Sequence, residues 1–173
     1  LERNKLLSRF QAGFREGRCT LDQILKITDH ILRAIATKAF TVAVFLDFER
    51  AYDMVWRTGM LIKLRNLGID GKIINWIQTF VNNRTMQVRV GNILSSIYTL
   101  ENGIPQGSIL APLLFLILIN DFPDGPNGME KSLFADDSAI YKSNRNLHFL
   151  SQQIQQYLDL ITEWCNTWGF KIN

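Results

Sequence analysis

The feature that most constrains the fold of this chain is a pair of adjacent aspartates, Asp136 and Asp137, within SLFADDSAIY at residues 132–141. The apolar residues on either side, among them Phe134 and Ile140, favour two short strands. Aspartate tolerates tight bends because its side chain bonds the local backbone. We therefore expect a β-hairpin with both acids at its tip, and a cation that offsets the repulsion between the two carboxylates.

A second acidic position raises the significance of the pair, which alone would favour an ordinary solvent-exposed turn. In TVAVFLD, the β-branched and aromatic run at residues 41–46 predicts a strand, and Asp47 stands where that strand ends. A strand that carries Asp47 and a hairpin that carries the pair could gather three carboxylates at one edge of a sheet. Carboxylate oxygens are the hard ligands that Mg²⁺ prefers.

Length and composition indicate one globular domain, to which a smaller lobe could be appended. The 173 residues are 47% apolar, which is enough for one substantial core. The longest apolar run, residues 109–119, contains Pro112 and is too short to cross a bilayer, and the opening LERNKLLSRF lacks a signal-peptide core. We expect a soluble intracellular protein of the nucleus or cytoplasm, without a membrane. The net charge of +3 permits nucleic-acid binding but does not argue strongly for it.

The hydrophobic pattern predicts an α+β layout, with helices packed on an antiparallel sheet. The strand at residues 41–46 is almost continuously apolar, which predicts burial on both of its faces. Thr20 is the expected N-cap of the first helix, and Ser108 that of a later one. The expected order is a helix at 21–37, the strand at 41–46, helices at 58–67 and 72–81, a hairpin at 85–90 and 93–100, an apolar helix after Ser108, a turn at 122–128, the acidic hairpin, a helix at 147–167 and the start of a strand in GFKIN.

Five stretches of the chain together resemble the reverse transcriptases of non-LTR (LINE-type) retrotransposons, and in particular the insect jockey-like branch. They are QAGFREGRCTLDQ, FLDFERAYDMVW, NGIPQGSILAPLLFLILIND, FADD and WCNTWGFKIN, in the order that the family has them. The resemblance implies a right-hand polymerase fold. Residues 1–173 would then be a single reverse transcriptase domain fragment, with the palm and part of the fingers, and with the thumb absent.

The resemblance also implies the catalytic residues. The family's first catalytic aspartate matches Asp47, and its paired aspartates match Asp136 and Asp137. All three would be catalytic and would serve as ligands for two Mg²⁺ ions, for which Mn²⁺ could substitute. The role of Asp137 in this family can be supportive, and a turn residue oriented toward water is the alternative for it.

Two further motifs match positions that meet the nucleotide. Tyr52 matches the aromatic residue that selects the nucleotide sugar. A ring under the sugar would leave no room for a 2′-hydroxyl. The alternative for Tyr52 is a half-buried core tyrosine. Gln106 and Gly107 match the Pro-Gln-Gly loop near the incoming nucleotide and template. Gly107 would let nucleic acid approach closely. The alternative for that loop is a plain turn before a helix.

The function implied is that of an RNA-directed DNA polymerase core. Its partners would be an RNA template, a DNA primer, deoxynucleoside triphosphates and the remaining parts of the retrotransposon polyprotein. The basic hairpin of the fingers and the thumb are not recognised in the sequence, so we expect the isolated fragment to be inactive. One alternative is a truncated, catalytically inactive remnant that binds nucleic acid. Another is a phosphohydrolase with Asp47 as nucleophile, but that chemistry needs an aspartate two residues later, where Glu49 stands.

Overall fold

The computed structural model describes residues 6–126 and 128–173. The parts of LERNKLLSRF before Leu6, and Asn127 in the turn expected at 122–128, lie outside the described residues. The helices and strands run in the order α1 (Thr20–Ala36), β1 (Phe40–Leu46), α2 (Arg57–Asn66), α3 (Lys72–Val81), β2 (Arg84–Met86), β3 (Arg89–Val90), β4 (Ile93–Leu94), β5 (Tyr98–Leu100), α4 (Ala111–Leu118), β6 (Glu130–Phe134), β7 (Asp137–Asn144) and α5 (Leu147–Trp168). This is the order that the hydrophobic pattern predicted. Among the described residues, no helix is both long enough and apolar enough to span a bilayer.

The chain divides into two compact units. One contains the residues up to Glu49 together with Ile119–Asn173, and the other contains Arg50–Leu118. The first unit holds α1, β1, β6, β7 and α5. The second holds α2, α3, α4 and the short strands β2 to β5.

The first unit is built on a three-stranded antiparallel sheet in the order β1-β7-β6. The central strand β7 is buried over consecutive residues from Ser138 to Lys142, so both of its faces are covered. Helix α1 contacts all three strands, and α5 contacts β7 and β1. The sheet and its helices confirm the expected antiparallel α+β arrangement.

The predicted burial of β1 on both faces is wrong. Phe45 is 73% exposed, and Leu46 is the residue of this strand that is buried. Strand β1 lies at an edge of the sheet and pairs with β7 along one side. A run of apolar residues shows that a segment is strand-like, but it does not show which position the strand takes in the sheet.

Helix α1 begins one residue earlier than expected. Its N-cap is Cys19 rather than Thr20, and the Cys19 N–H donates to the Asp22 carboxylate at 2.9 Å. The Asp22 carboxylate thus satisfies the backbone N–H of the N-cap residue, as the acidic residue of a capping box does. The apolar positions that predicted the helix are mostly exposed, namely Leu21, Ile24, Leu25, Leu32 and Ile35.

Helix α5 anchors the core of the first unit. Its start is capped by the Asn146 side chain, which accepts from the Phe149 N–H at 3.0 Å, and its end is capped by Gly169 in the left-handed region at φ 76°. Leu150, Tyr157 and Ile161 are fully buried along its inner face. Near its end, Trp164 stacks on Phe170 with ring centroids 5.0 Å apart.

In the second unit, α2 contacts both α3 and α4. The hairpin expected at 85–100 is present as two short antiparallel ladders, β2 with β5 and β3 with β4. Residues 87–88 on one side face residues 95–97 on the other, so the second side carries an extra residue that breaks the ladder as a β-bulge does. Before α4, the Ser108 hydroxyl accepts from the Ala111 N–H at 3.2 Å, as expected for a residue that caps a helix start.

Candidate active site

The sheet register brings Asp47 beside the acidic hairpin. Leu46, the last residue of β1, pairs with Ser138, the second residue of β7. In an antiparallel ladder the next residue of one strand faces the preceding residue of the other, so Asp47 lies next to Asp137. The structure thus places two of the predicted site residues at one end of the sheet.

The hairpin closes through a two-residue turn. Phe134 pairs with Asp137, which leaves Ala135 and Asp136 as the connection. Ala135 has a φ of 56°, whereas Asp136 has no positive φ, which is the pattern of a type II′ turn. The expectation that both acids form the tip is therefore correct for Asp136 and wrong for Asp137. The strand pairing extends to Asp137, which is exposed at the start of β7, while Asp136 is half-buried.

A buried glutamine holds this turn in place. The Gln11 side chain is 2% exposed. Its oxygen accepts from the Ala135 N–H at 2.9 Å, and its Nε2 donates to the Ala135 carbonyl at 3.2 Å. A non-glycine residue in the left-handed region costs roughly 1–3 kcal/mol, and hydrogen bonds of about 1 kcal/mol each can offset that cost. Gln11 belongs to the QAGFREGRCTLDQ motif, but nothing in its residue type or spacing indicates this role.

Gly13 lets the segment from Phe10 to Gly13 lie against the hairpin. The Ala12 N–H donates to Leu133 O at 2.9 Å, and the Leu133 N–H donates to Phe10 O at 3.1 Å. A Cβ added at Gly13 would lie 2.2 Å from the backbone nitrogen of Ala135. Any larger residue would therefore push the turn away. The glycine in QAGF was the signal for this close approach.

Asp47 is held from the other side by the end of the chain. Asn173 donates its backbone N–H to Asp47 O at 2.8 Å and its side-chain Nδ2 to Asp47 Oδ2 at 3.2 Å. Phe48 and Ile172 form an antiparallel bridge, which agrees with the strand expected in GFKIN. The contact between Asn173 and the Asp47 carboxylate is not predictable from short-range patterns, because the two residues lie 126 positions apart in the chain.

Asp47 and Asp137 line the same cavity, which has a volume of about 430 Å³. Its walls are mostly apolar and include Phe45 and Phe134. Within 6–126 and 128–173, no three His, Cys, Asp or Glu side chains are arranged so that they could hold a metal ion. Mg²⁺ is commonly bound by one or two carboxylates together with substrate phosphates. The carboxylates of Asp47 and Asp137, which both line this cavity, fit that mode.

The predicted nucleotide-binding residues belong to the second unit. Tyr52 is half-buried, and its ring stacks on that of Phe115 in α4 with centroids 4.8 Å apart and an interplanar angle of 19°. This stacking restricts the orientation of the phenol ring. It is compatible both with a sugar-contacting role and with the alternative of a half-buried core tyrosine.

Gln106 and Gly107 form the centre of an exposed turn. The Ser108 N–H donates to Pro105 O at 3.0 Å, and Gly107 has a φ of 86° with open space where a Cβ would stand. A positive φ at the third position is typical of a type II turn and favours glycine. The structure joins this loop to the Tyr52 segment through a bond from the Ile104 N–H to Tyr52 O at 3.0 Å.

The family model described as "Reverse transcriptase (RNA-dependent DNA polymerase)" matches residues 1–173. The chain belongs to the reverse transcriptase family. This confirms the resemblance found in the sequence. The match spans both acidic motifs, the Pro-Gln-Gly loop and the final GFKIN.

Relatives of this reverse transcriptase include proteins of insect mobile elements. The chain is 32% identical to a probable RNA-directed DNA polymerase from transposon BS and 31% identical to an RNA-directed DNA polymerase from mobile element jockey, both of Drosophila melanogaster. Each comparison covers 98% of this chain and 19% of the relative. The chain therefore spans about a fifth of the length of these curated relatives.

Solved structures confirm the fold of this reverse transcriptase. Apo telomerase from Candida tropicalis superposes with a TM-score of 0.70 and 14% identity, over 95% of this chain and 32% of that one. Telomerase from Candida albicans, in complex with a fragment of telomeric RNA, superposes with a TM-score of 0.66 and 12% identity, over 95% of this chain and 31% of that one. The expected right-hand polymerase fold is thus correct.

Proposed function

We propose that this chain carries the nucleotidyl-transfer centre of an RNA-directed DNA polymerase of a non-LTR retrotransposon. The observation that carries the proposal is the register of β1 with β7, which sets Asp47 and Asp137 on one cavity beside the Asp136 turn. The two Drosophila relatives are named as RNA-directed DNA polymerases, which agrees with this chemistry. Residues 1–173 would act as one reverse transcriptase domain fragment, although they form two compact units.

Asp47 and Asp137, which line one cavity, and Asp136, in the adjoining turn, would hold two Mg²⁺ ions, for which Mn²⁺ could substitute. The described carboxylates do not form a three-residue metal site by themselves, so the phosphates of the bound substrate would complete the ligand set. Bound there, such ions would lower the pKa of the primer 3′-hydroxyl and would stabilise the charge on the triphosphate and the departing pyrophosphate. The contribution of the protein would be to hold its carboxylates in fixed positions.

The described contacts supply that rigidity. Asp47 directly follows a strand of the central sheet and is held by Asn173. Asp136 sits in a two-residue turn whose first residue is clamped by Gln11. Rigid carboxylates keep the reacting oxygens close and aligned, and such positioning is a main source of catalysis in phosphoryl transfer.

The remaining site residues would select the nucleotide. Tyr52 would lie under the sugar and exclude a 2′-hydroxyl, with its ring held in orientation by Phe115. Gln106 would bond the sugar or the template backbone, and the open space at Gly107 would admit a nucleic-acid strand. The partners in this scheme are an RNA template, a DNA primer, deoxynucleoside triphosphates and the other parts of the polyprotein, in the nucleus or the cytoplasm.

Primer extension on an RNA template tests the proposal. The assay uses the full-length polypeptide that contains this chain, with and without Asp47→Ala and Asp136→Ala. Metal-dependent DNA synthesis that both substitutions abolish would support the polymerase assignment. Nucleic-acid binding without synthesis by the unsubstituted protein would instead identify a catalytically inactive binding remnant.

A further inference from the structure

Arg57, the first residue of α2, is a buried cation for which the proposed chemistry has no use. It is 6% exposed. Its guanidinium donates from Nε to Gly103 O at 2.9 Å, from Nη1 to Leu100 O at 2.8 Å and from Nη2 to Asn102 O at 2.6 Å. Burial lowers the pKa of this guanidinium, and the positive charge of Arg84 adds to the shift. An arginine nevertheless stays protonated near neutral pH, so the charged guanidinium of Arg57 binds three carbonyls of one loop.

The same loop is fastened to the segment that carries Tyr52. The Gly103 N–H donates to Val55 O at 2.9 Å, and the Ile104 N–H donates to Tyr52 O at 3.0 Å. Gly103 has a φ of 86°, and a Cβ there would lie 2.7 Å from the carbonyl oxygen of Asp53. The backbone from Leu100 to Ile104 therefore lies directly against the backbone around Tyr52. Arg57 binds three carbonyls of this segment, of which the Gly103 carbonyl is buried.

The clamped backbone connects the two elements to which nucleotide recognition is assigned. Ile104 bonds the Tyr52 carbonyl, and Gln106 follows two residues later in the turn that Pro105 begins. Any movement of residues 100–104 would change the distance between the Tyr52 ring and the Gln106 side chain. The Tyr52 ring stacks on Phe115, so a shift of the loop would alter this distance by moving Gln106 rather than the ring.

We propose that Arg57 is a positioning residue that sets the separation between Tyr52 and Gln106, and that it thereby contributes to the choice of a deoxynucleotide over a ribonucleotide. The inference rests on the proposed polymerase function. Arginine suits this role better than lysine because its planar fork presents donors in several fixed directions, whereas an ammonium is a single compact charge. Truncating Arg57 would leave the buried Gly103 carbonyl and two part-buried carbonyls without this donor, which is costly for the buried one.

A purely stabilising role makes a different prediction. If Arg57 only stabilised the fold, its substitution would lower the amount of active protein and leave the properties of each active molecule unchanged. If it positions the loop, the remaining active molecules would bind the incoming nucleotide less well and would discriminate less between sugars. The Michaelis constant and the sugar preference are independent of the active fraction, so they separate the two roles.

The experiment compares Arg57→Lys and Arg57→Gln in the full-length polypeptide, with Arg65→Gln as the matched control. Arg65 lies on the same helix and is exposed. Primer extension gives kcat, KM for a deoxynucleotide, and the ratio of kcat/KM for deoxynucleotide to that for ribonucleotide. We expect KM to rise about tenfold or more and the sugar ratio to fall severalfold in both Arg57 variants, because small misplacements of binding groups cost about ten- to a hundredfold. The control should match the unsubstituted protein.

Hydrogen exchange adds a readout that does not depend on activity. Amide exchange in a peptide covering residues 99–108 should be faster in both Arg57 variants than in Arg65→Gln, because the Gly103 and Ile104 amides lose their clamp. Unchanged exchange, or an active Arg57→Lys with unchanged KM and sugar ratio, would overturn this inference and leave the polymerase assignment intact. Absence of any synthesis by the unsubstituted protein would overturn the proposed function and this inference together.

Discussion

The side chain of Asn173 donates a hydrogen bond to the carboxylate of Asp47 at 3.2 Å. The same residue also donates its backbone N–H to the Asp47 carbonyl at 2.8 Å. Asp47 is thus oriented through both its backbone and its side chain by a residue from the far end of the chain. A carboxylate that receives a bond from a neutral amide keeps its remaining oxygen lone pairs for a cation.

Asn173→Ala should weaken the response to Mg²⁺ without abolishing synthesis. A hydrogen bond to a charged group contributes about 1.5–3 kcal/mol when well shielded, and this exposed one should contribute less, so we expect a few-fold higher Mg²⁺ requirement. Primer extension over a Mg²⁺ titration measures the effect. Asn166→Ala, at an exposed position of α5, is the control. An unchanged titration curve for Asn173→Ala would show that Asn173 does not orient Asp47.

Asp47→Ala and Asp136→Ala should each reduce synthesis by at least about a thousandfold. A metal ion contributes several kcal/mol of charge stabilisation, and each 1.4 kcal/mol corresponds to about a tenfold change in rate. Single-turnover primer extension measures the loss. Glu163→Gln removes an exposed carboxylate elsewhere, on α5, and should leave the rate unchanged. Synthesis that survives either aspartate substitution at the normal rate would refute the catalytic assignment.

Tyr52→Val should increase ribonucleotide incorporation, since a smaller side chain leaves room for a 2′-hydroxyl. Tyr52→Phe keeps the ring and its stacking on Phe115, and should preserve the preference for deoxynucleotides. Competition between the two nucleotide types in primer extension measures the preference. Equal discrimination by the valine variant and the original protein would favour the simpler role of a half-buried core tyrosine.

Gln11→Ala should loosen the acidic hairpin. The Ala135 N–H and carbonyl would lose both partners, and each buried unsatisfied group costs about 1–3 kcal/mol. Amide exchange in a peptide that covers residues 132–138 should accelerate, and the rate of primer extension should fall. Gly13→Ala should have a similar or larger effect, because its Cβ would meet the Ala135 nitrogen at 2.2 Å. Slow exchange retained in both variants would mean that the turn does not depend on this segment.

The two cysteines should react with iodoacetamide at very different rates in the folded protein. Cys19 is exposed and Cys165 is buried, and burial raises the pKa of the Cys165 thiol to about 11. The thiolate is the reactive form, and at pH 8 a group with that pKa is about 0.1% ionised. Mass spectrometry should therefore find rapid labelling of Cys19 and slow labelling of Cys165, with the Cys165 rate rising as the pH approaches its pKa. Equal rates without denaturant would contradict the buried position.

Local sequence patterns predicted the helices and strands well, but they did not predict which side chains of those helices and strands are buried. The bounds of α3 and the start of α5 agree with the expected ones, because apolar spacing and Gly or Asn caps act over a few residues. The exposure of Phe45 was not predictable, because it depends on whether another part of the fold covers that face of β1, where Phe45 instead lines the cavity beside Asp47. The Cys19 cap was missed because the acid at Asp22, rather than a hydroxyl at the cap, satisfies the backbone.

The motifs also identified candidate site residues, but they did not show which contacts fix the positions of those residues. Asp47 and the acidic pair stand out in the sequence because they adjoin apolar, strand-like runs within the FLDFERAYDMVW and FADD motifs. Gln11 and Arg57 carried no comparable signal, since a single polar residue in a loop or at a helix start is usually exposed. Their roles follow from burial and from the backbone groups they contact.

The sequence by itself determined the family, the order of helices and strands, and the acidic residues at the candidate centre, because these depend on residue types and short-range spacing. Only the tertiary structure decided that Asp47 stands beside Asp137, that Gln11 clamps the Ala135 turn and that Arg57 holds the loop before Gln106. Those relationships join residues distant in the chain. They depend on strand register and on the burial of polar groups, which must find partners wherever the fold provides them.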